Sequence, residues 1–257
     1  MPRTTVKKQT RKKSKVKPVA KQRDRTTSVK TKQIEELVTF IIIADSPLYR
    51  MKSYGPVSLI QIDKEKLIDY QIKSIKKSYK NYEIVLCLGF ESSKVSKYIR
   101  SKHKNINIRI VENQIYNETN SCESLRISLN NTQNNKVFVI DGNLYFCEKT
   151  IKLKAYEKNY VYIDKNNKNF DIGINLNEKE QVEFFSFGAK YNWTEILFLS
   201  NDQTIENLYR ILSSESYKKK FIFEELNSLI NINKMDFSII ETKNELWKIN
   251  KPKRNDS

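Results

Sequence analysis

Glycine is scarce in this chain, five residues in 257. Loops that cradle phosphate with backbone amides rely on glycine, so few segments can serve that way. There is a single histidine, His103, and the three cysteines (Cys87, Cys122, Cys147) are widely spaced with no CxxC pair. That argues against a zinc cluster and against a disulfide framework, and free thiols suit a reducing compartment. Cys87 lies in an apolar run and reads as a buried thiol. No apolar stretch approaches the ~20 residues that span a bilayer. The N-terminus has neither the apolar core of a signal peptide nor the apolar stripe of a transit helix. The expectation is an intracellular protein, cytoplasmic or nuclear, with no membrane partner.

What is present divides sharply along the chain. Apolar residues make up 39%, with 14 Tyr and 12 Phe, which is enough to build a core. The net charge is +17, and it is unevenly placed. Residues 1–33 hold 13 Lys/Arg and one acid, Asp24, while the remainder holds 34 Lys/Arg and 29 acids. The first 33 residues offer only four scattered valines as sizeable apolar groups beyond Met1, so they read as an extended, disordered basic tail. Such a tail suits nucleic acid or another polyanion, bound by counterion release and without sequence preference. With no aromatic residue it has nothing to stack on bases. A nuclear-import signal around Lys7–Lys17, or a solubility role, is the alternative. Residues 251–257 form a short charged C-terminal tail.

From about Ile34 to residue 250 the pattern is that of one α/β domain. Leu37–Ala44 is a continuous apolar run rich in β-branched residues, a strand buried on both faces. Residues 64–79 place Leu67, Ile68, Ile72 and Ile75 on one helical face. A second strand is expected at Tyr82–Phe90, a helix at 91–103, a strand at Ile106–Val111, a helix at 121–130 and a strand at Lys136–Asp141. This alternation predicts a mostly parallel sheet with helices on both faces. The loops after the first and fourth strands, 45–57 and 141–146, are expected to meet at the carboxyl edge where ligands bind. Beyond residue 150 the pattern becomes mixed α+β. Short strands are expected at Tyr160–Ile163, Phe170–Leu176, Val182–Phe187, Ile196–Leu199 and Phe237–Ile240, with helices at 203–213 and 217–230.

Five segments in this order carry a family resemblance: FIIIADSPLYRMKSYGPVSLIQI (40–62), LIDYQI (67–72), EIVLCLGFESSKVSKYI (83–99), VENQIYNETNSCESLRISL (111–129) and VFVIDGNLYF (137–146). Together they resemble the sugar-phosphate and choline-phosphate nucleotidyltransferases, over roughly residues 37–250. The resemblance implies a Rossmann-like sheet of the glycosyltransferase-A type. It also implies transfer of a nucleotidyl group from a nucleoside triphosphate to a phosphorylated acceptor, with Mg²⁺ held by two aspartates.

Matched residue by residue, the resemblance implies a degenerate catalytic site. Asp45 to Tyr49 stand where the family has its glycine loop, with an added charge at Asp45 and a proline that has no N–H. Arg50 matches the signature arginine. Val57 stands where the family has a lysine. Asn143 and Asn250 stand at the two metal carboxylates, and Asp141 is a weak substitute on the same face as Asn143. Thr119, Asn120 and Ser124 match the stretch that reads the nucleobase. Asn120 is also a good N-cap, with Glu123 at the capping-box spacing. Trp193 and Trp247 read as core or rim, Lys218–Lys220 as a solvated face, and Glu224 and Glu225 as partners of a helix N-terminus. Each lost group costs ~10²-fold or more in rate, so the expectation is an impaired nucleotidyltransferase-like protein with a polyanion-binding tail. The alternatives are an active, divergent Mg²⁺ enzyme using CTP or UTP, and a structural or assembly protein reusing the fold. The Lys-, Asn- and Ile-rich composition suggests an AT-rich genome, with a viral one among the candidates.

Overall fold

The computed structural model describes residues 36–48, 50, 52–153, 155–165, 170–243 and 245–250. The basic residues 1–33 and the charged residues 251–257 lie outside the described residues. The described residues fall within one compact unit.

The elements run in the following order. Strand β1 (Val38–Ala44) is followed by the short hairpin β2 (Gln61–Ile62) and β3 (Glu65–Lys66), then helix α1 (Leu67–Ser78). Next come β4 (Tyr82–Leu88), α2 (Ser92–Lys102), β5 (Ile108–Glu112), α3 (Ser121–Leu129), β6 (Val137–Asp141) and β7 (Leu144–Phe146). The second half holds β8 (Tyr160–Asp164), β9 (Ile172–Leu176), β10 (Val182–Phe187) and β11 (Tyr191–Leu199). Helices α4 (Asp202–Leu212) and α5 (Ile222–Asn233) follow, and then β12 (Ser238–Glu241) and β13 (Leu246–Lys248).

β1 lies between β6 and β4, and β4 pairs with β5, all in parallel. β11 then joins β6 antiparallel and carries β9, β10, β8 and β12, which completes a nine-stranded sheet. The chain is thus a largely parallel sheet with helices on its faces and a mixed extension, as the alternation of apolar runs implied.

Side chains alternate across a strand, and β1 shows the consequence. Phe40 and Ile42 pack on one face with Ile68, Ile72, Leu86 and Phe138. Ile41 and Ile43 pack on the other with Val85, Leu125, Val139 and Leu226. Each such side chain contributes ~1.5–3 kcal/mol on burial, and all seven residues of β1 are buried.

Several expectations needed adjustment. The helix starting at 64 begins only at Leu67, because residues 61–66 turn into the β2–β3 hairpin. β11 begins five residues before the expected Ile196. β7 and β13 were not foreseen. They are three-residue strands, too short for a period-2 signal, and they form by pairing with each other across the fold.

Candidate functional site

The carboxyl ends of β1 and β6 open into a cleft of about 870 Å³. Its walls include Ala44–Leu48, Arg50, Val57, Asn120, Asp141, Asn143, Glu195, Lys248 and Asn250. The loops after the first and fourth expected strands therefore do meet. Their meeting depends on Gly142, whose N–H donates to the Ile43 carbonyl at 2.7 Å. A Cβ there would lie 2.5 Å from that of Ala44, so only glycine lets the two strand ends approach so closely. Behind this loop, the buried Gln71 of α1 donates its side-chain amide to the carbonyls of Gly142 (3.2 Å) and Leu144 (2.8 Å). Ser74 donates to the Phe146 carbonyl at 2.8 Å. Helix α1 thus fixes the loop that carries Asn143.

Asp45 is the residue that the resemblance matches to a loop glycine. Its side chain is turned inward and accepts a hydrogen bond from the Ser124 hydroxyl. Asn113 donates to Ser124 at 2.9 Å and to the Thr119 hydroxyl at 3.0 Å. Of the three residues expected to face a base, Ser124 is buried in this network and Thr119 is tied to Asn113 and the Ile115 carbonyl (3.0 Å). Only Asn120 lines the cleft. Asn120 stands at the N-cap of α3, but its side chain does not cap the helix. It donates instead to the Lys219 carbonyl at 2.6 Å, while Glu123 pairs with Arg126. The capping-box expectation is corrected: a tertiary partner in residues 218–222 took the side chain. Glu224 meets its expectation, accepting the Phe221 N–H at 2.7 Å. Glu225 also lies in the first turn of α5, fully buried beside Lys220 (3.2 Å).

The polar floor of the cleft comes from three separate strands. Asp141 ends β6 and accepts the Asn143 N–H at 3.0 Å; both residues line the cleft, and a turn at residues 142–143, not the expected extended segment, places them there. Lys248 enters from β13, in register with Leu144 of β7, and its ammonium lies 2.6 Å from Glu195 Oε1. Glu195 sits where the pairing of β11 with β8 shifts register, at φ 59. A left-handed backbone costs a residue other than glycine ~1–2 kcal/mol, and here it turns the carboxyl into the cleft.

Burial, and then the charge of Asp141, raise the Glu195 pKa, against the pull of Lys248. Asp141 is also raised, again chiefly by burial, and opposed by Lys248 and the Asn143 N–H. The two carboxyls hold a proton above the usual carboxylate range. Burial works against the Lys248 charge, but its two acidic neighbours outweigh that and keep it protonated. Beneath the floor, burial first and then the Asp45 charge push the Cys87 thiol up to about 12, so it is inert, as its apolar setting implied.

Sequence reasoning missed Glu195, Lys248 and Asn113. A signal for Glu195 existed: it is the one charge in the buried run Trp193–Leu199, and a glutamate in a strand interior is almost always paired. Nothing in the sequence announced Lys248, because β13 could be placed only by its partner.

The architecture has close counterparts among solved structures. CTP:phosphocholine cytidylyltransferase from Streptococcus pneumoniae superposes with a TM-score of 0.65 at 17% identity, over 83% of this chain and 93% of that one. The inositol-1-phosphate CTP transferase from T. maritima gives 0.67 at 16%, over 84% and 90%. A UDP-glucose pyrophosphorylase complexed with UDP-glucose gives 0.68 at 11%, over 84% and 94%. The fold is that of the nucleotidyltransferases. No family model matches the sequence, and no curated protein does.

The resemblance implies Mg²⁺ in such a cleft, and the residues here do not suit it. The two matched positions are amides, Asn143 and Asn250, which lack the charge that a hard divalent ion favours. Among the described residues no group of three or more His, Cys, Asp or Glu is placed to hold a metal ion. Lys248 instead brings a positive charge into the same floor. No helix among the described residues is long and apolar enough to cross a membrane.

Proposed function

We propose that this chain is a nucleotidyltransferase-fold protein whose metal-dependent transfer chemistry is impaired, with residues 1–33 binding nucleic acid or another polyanion. The observation that carries the first half is the cleft floor. Asn143 and Asn250 stand where the resemblance calls for metal carboxylates, and a Lys248–Glu195 ion pair shares the floor with them. Val57 replaces a cation, and Asp45 and Pro47 replace glycine amides. At ~10²-fold per lost group, these changes together remove most of the transition-state stabilisation.

The test is pyrophosphate release from CTP with phosphocholine, and from UTP with a sugar 1-phosphate, in Mg²⁺. No release above the protein-free rate is expected. Mg²⁺-dependent turnover that Arg50→Ala abolishes would establish the second reading, a divergent active enzyme. Arg50 on the cleft wall, and a cavity of the size that takes small ligands, favour that reading. The tail is tested separately. Deleting residues 1–33 is expected to abolish retention on DNA or RNA at low salt, and unchanged retention would reject that role.

A further inference from the structure

The floor of the cleft is short of metal ligands, yet it holds a cation of its own. Lys248 is opposite Leu144 in the β13–β7 ladder, and the next residue, Ile249, donates its N–H to the Asn143 carbonyl at 2.9 Å. This pairing sets Lys248 against the segment that carries Asp141 and Asn143. Its ammonium makes a 2.6 Å hydrogen bond to Glu195 Oε1 and shares the cavity with Asp141 and Asn143. A further oxygen there, Asn143 Oδ1, is buried without a hydrogen-bond partner, and the Glu195 and Asp141 carboxyls are hydrogen-bonded to each other. Carboxylate and amide oxygens of this kind are the donors that hard divalent ions take.

We infer that the Lys248 ammonium occupies the cation position of this cleft, so that the protein carries a tethered single charge where its fold relatives imply a divalent metal. The inference rests on the impaired-site reading proposed above. Three observations converge on it. The cleft walls hold Asp45, Asp141, Asp171 and Glu195 against Arg50 and Lys248, and even with one proton held between Asp141 and Glu195 the acids outnumber the bases. Glu195 is held at φ 59, a strained conformation that persists only when the surroundings impose it, and it brings the carboxyl to Lys248. The ammonium also shares the cavity with the oxygens a metal would need, so a second cation entering the floor would meet like charge. A phosphate oxygen reaching the floor is met by Lys248 Nζ and not by a metal. Removing the ammonium leaves Asp141, Asn143 and Glu195 as a latent divalent site.

Mn²⁺ binding to the full chain, followed by electron paramagnetic resonance, tests this. Lys248→Ala is expected to bind Mn²⁺ about tenfold more tightly than wild type or better, and Asp141→Asn in that background is expected to remove the gain. Lys248→Gln, which keeps a hydrogen bond to Glu195, gives the same readout if the alanine variant does not fold. Wild type binding Mn²⁺ as tightly as the variants, through Asp141, overturns the inference. So does a folded variant that gains no Mn²⁺ affinity. Mg²⁺-dependent pyrophosphate release by wild type would instead remove the impaired-enzyme reading, and the two failures are distinguished by which assay reports them.

Discussion

Lys248 and Glu195 form a pair whose two halves are unequal in consequence. Both side chains are largely buried, so neither charge tolerates the loss of the other. Lys248→Ala leaves two facing carboxyls without their cation and is expected to cost about 3–5 kcal/mol in denaturant unfolding. The double variant Lys248→Met with Glu195→Gln removes both charges at similar volume and is expected to stay within about 1 kcal/mol of wild type, or to exceed it. Equal losses in the two variants would mean that packing, not charge, holds the floor. The residues that matching did find, Asp45, Arg50, Val57, Asn143 and Asn250, all line the cleft. Matching by position finds what stands at an expected place. It cannot find Glu195 or Lys248, which arrive from β11 and β13 at places where no partner was expected.

Elements, not single residues, hold the site in shape. The loop after β6 is fixed in front by the close approach of Gly142 to β1, and behind by Gln71 and Ser74 of α1. Gly142→Ala is expected to force the two strand ends apart and to cost about 1–3 kcal/mol, visible as a lower Tm. Helix α1 is in turn tied to α2 through Asp69. The buried Asp69 carboxylate accepts from Tyr98 and Lys102 at 2.7 Å each, and its other oxygen is 2.7 Å from His103 Nε2. Burial alone would raise its pKa, but the hydrogen bonds from Lys102, Tyr98 and His103 outweigh it and hold the group below the ordinary value. The unfolded chain therefore binds this proton first as pH falls. The stabilisation is complete above an unfolded aspartate pKa of about 4 and is lost as pH falls through the lower folded value. Unfolding free energies measured in urea from pH 7 to pH 3 are expected to fall less steeply for Asp69→Asn than for wild type. Parallel curves would show that the cluster does not couple the helices to pH.

At the scale of the whole molecule the two charge regions predict different responses to salt. The polyanion binding proposed for residues 1–33 would exchange many counterions, so that affinity is expected to drop by orders of magnitude between ~50 and ~200 mM salt. The buried Lys248–Glu195 pair is shielded from that screening, so unfolding stability is expected to change little over the same range. The parallel sheet, its helices and its cleft at the ends of the first and fourth long strands were determined by the sequence alone. Apolar runs of five to eight residues and 3.6-residue stripes are local signals that demand burial wherever they fall. The assembly of the cleft floor was decided only by tertiary structure. Asp141, Glu195 and Lys248 lie more than 50 residues apart from one another in the chain. What brings them together is strand pairing in β11 and β13, whose registers depend on partners and not on any periodicity of their own.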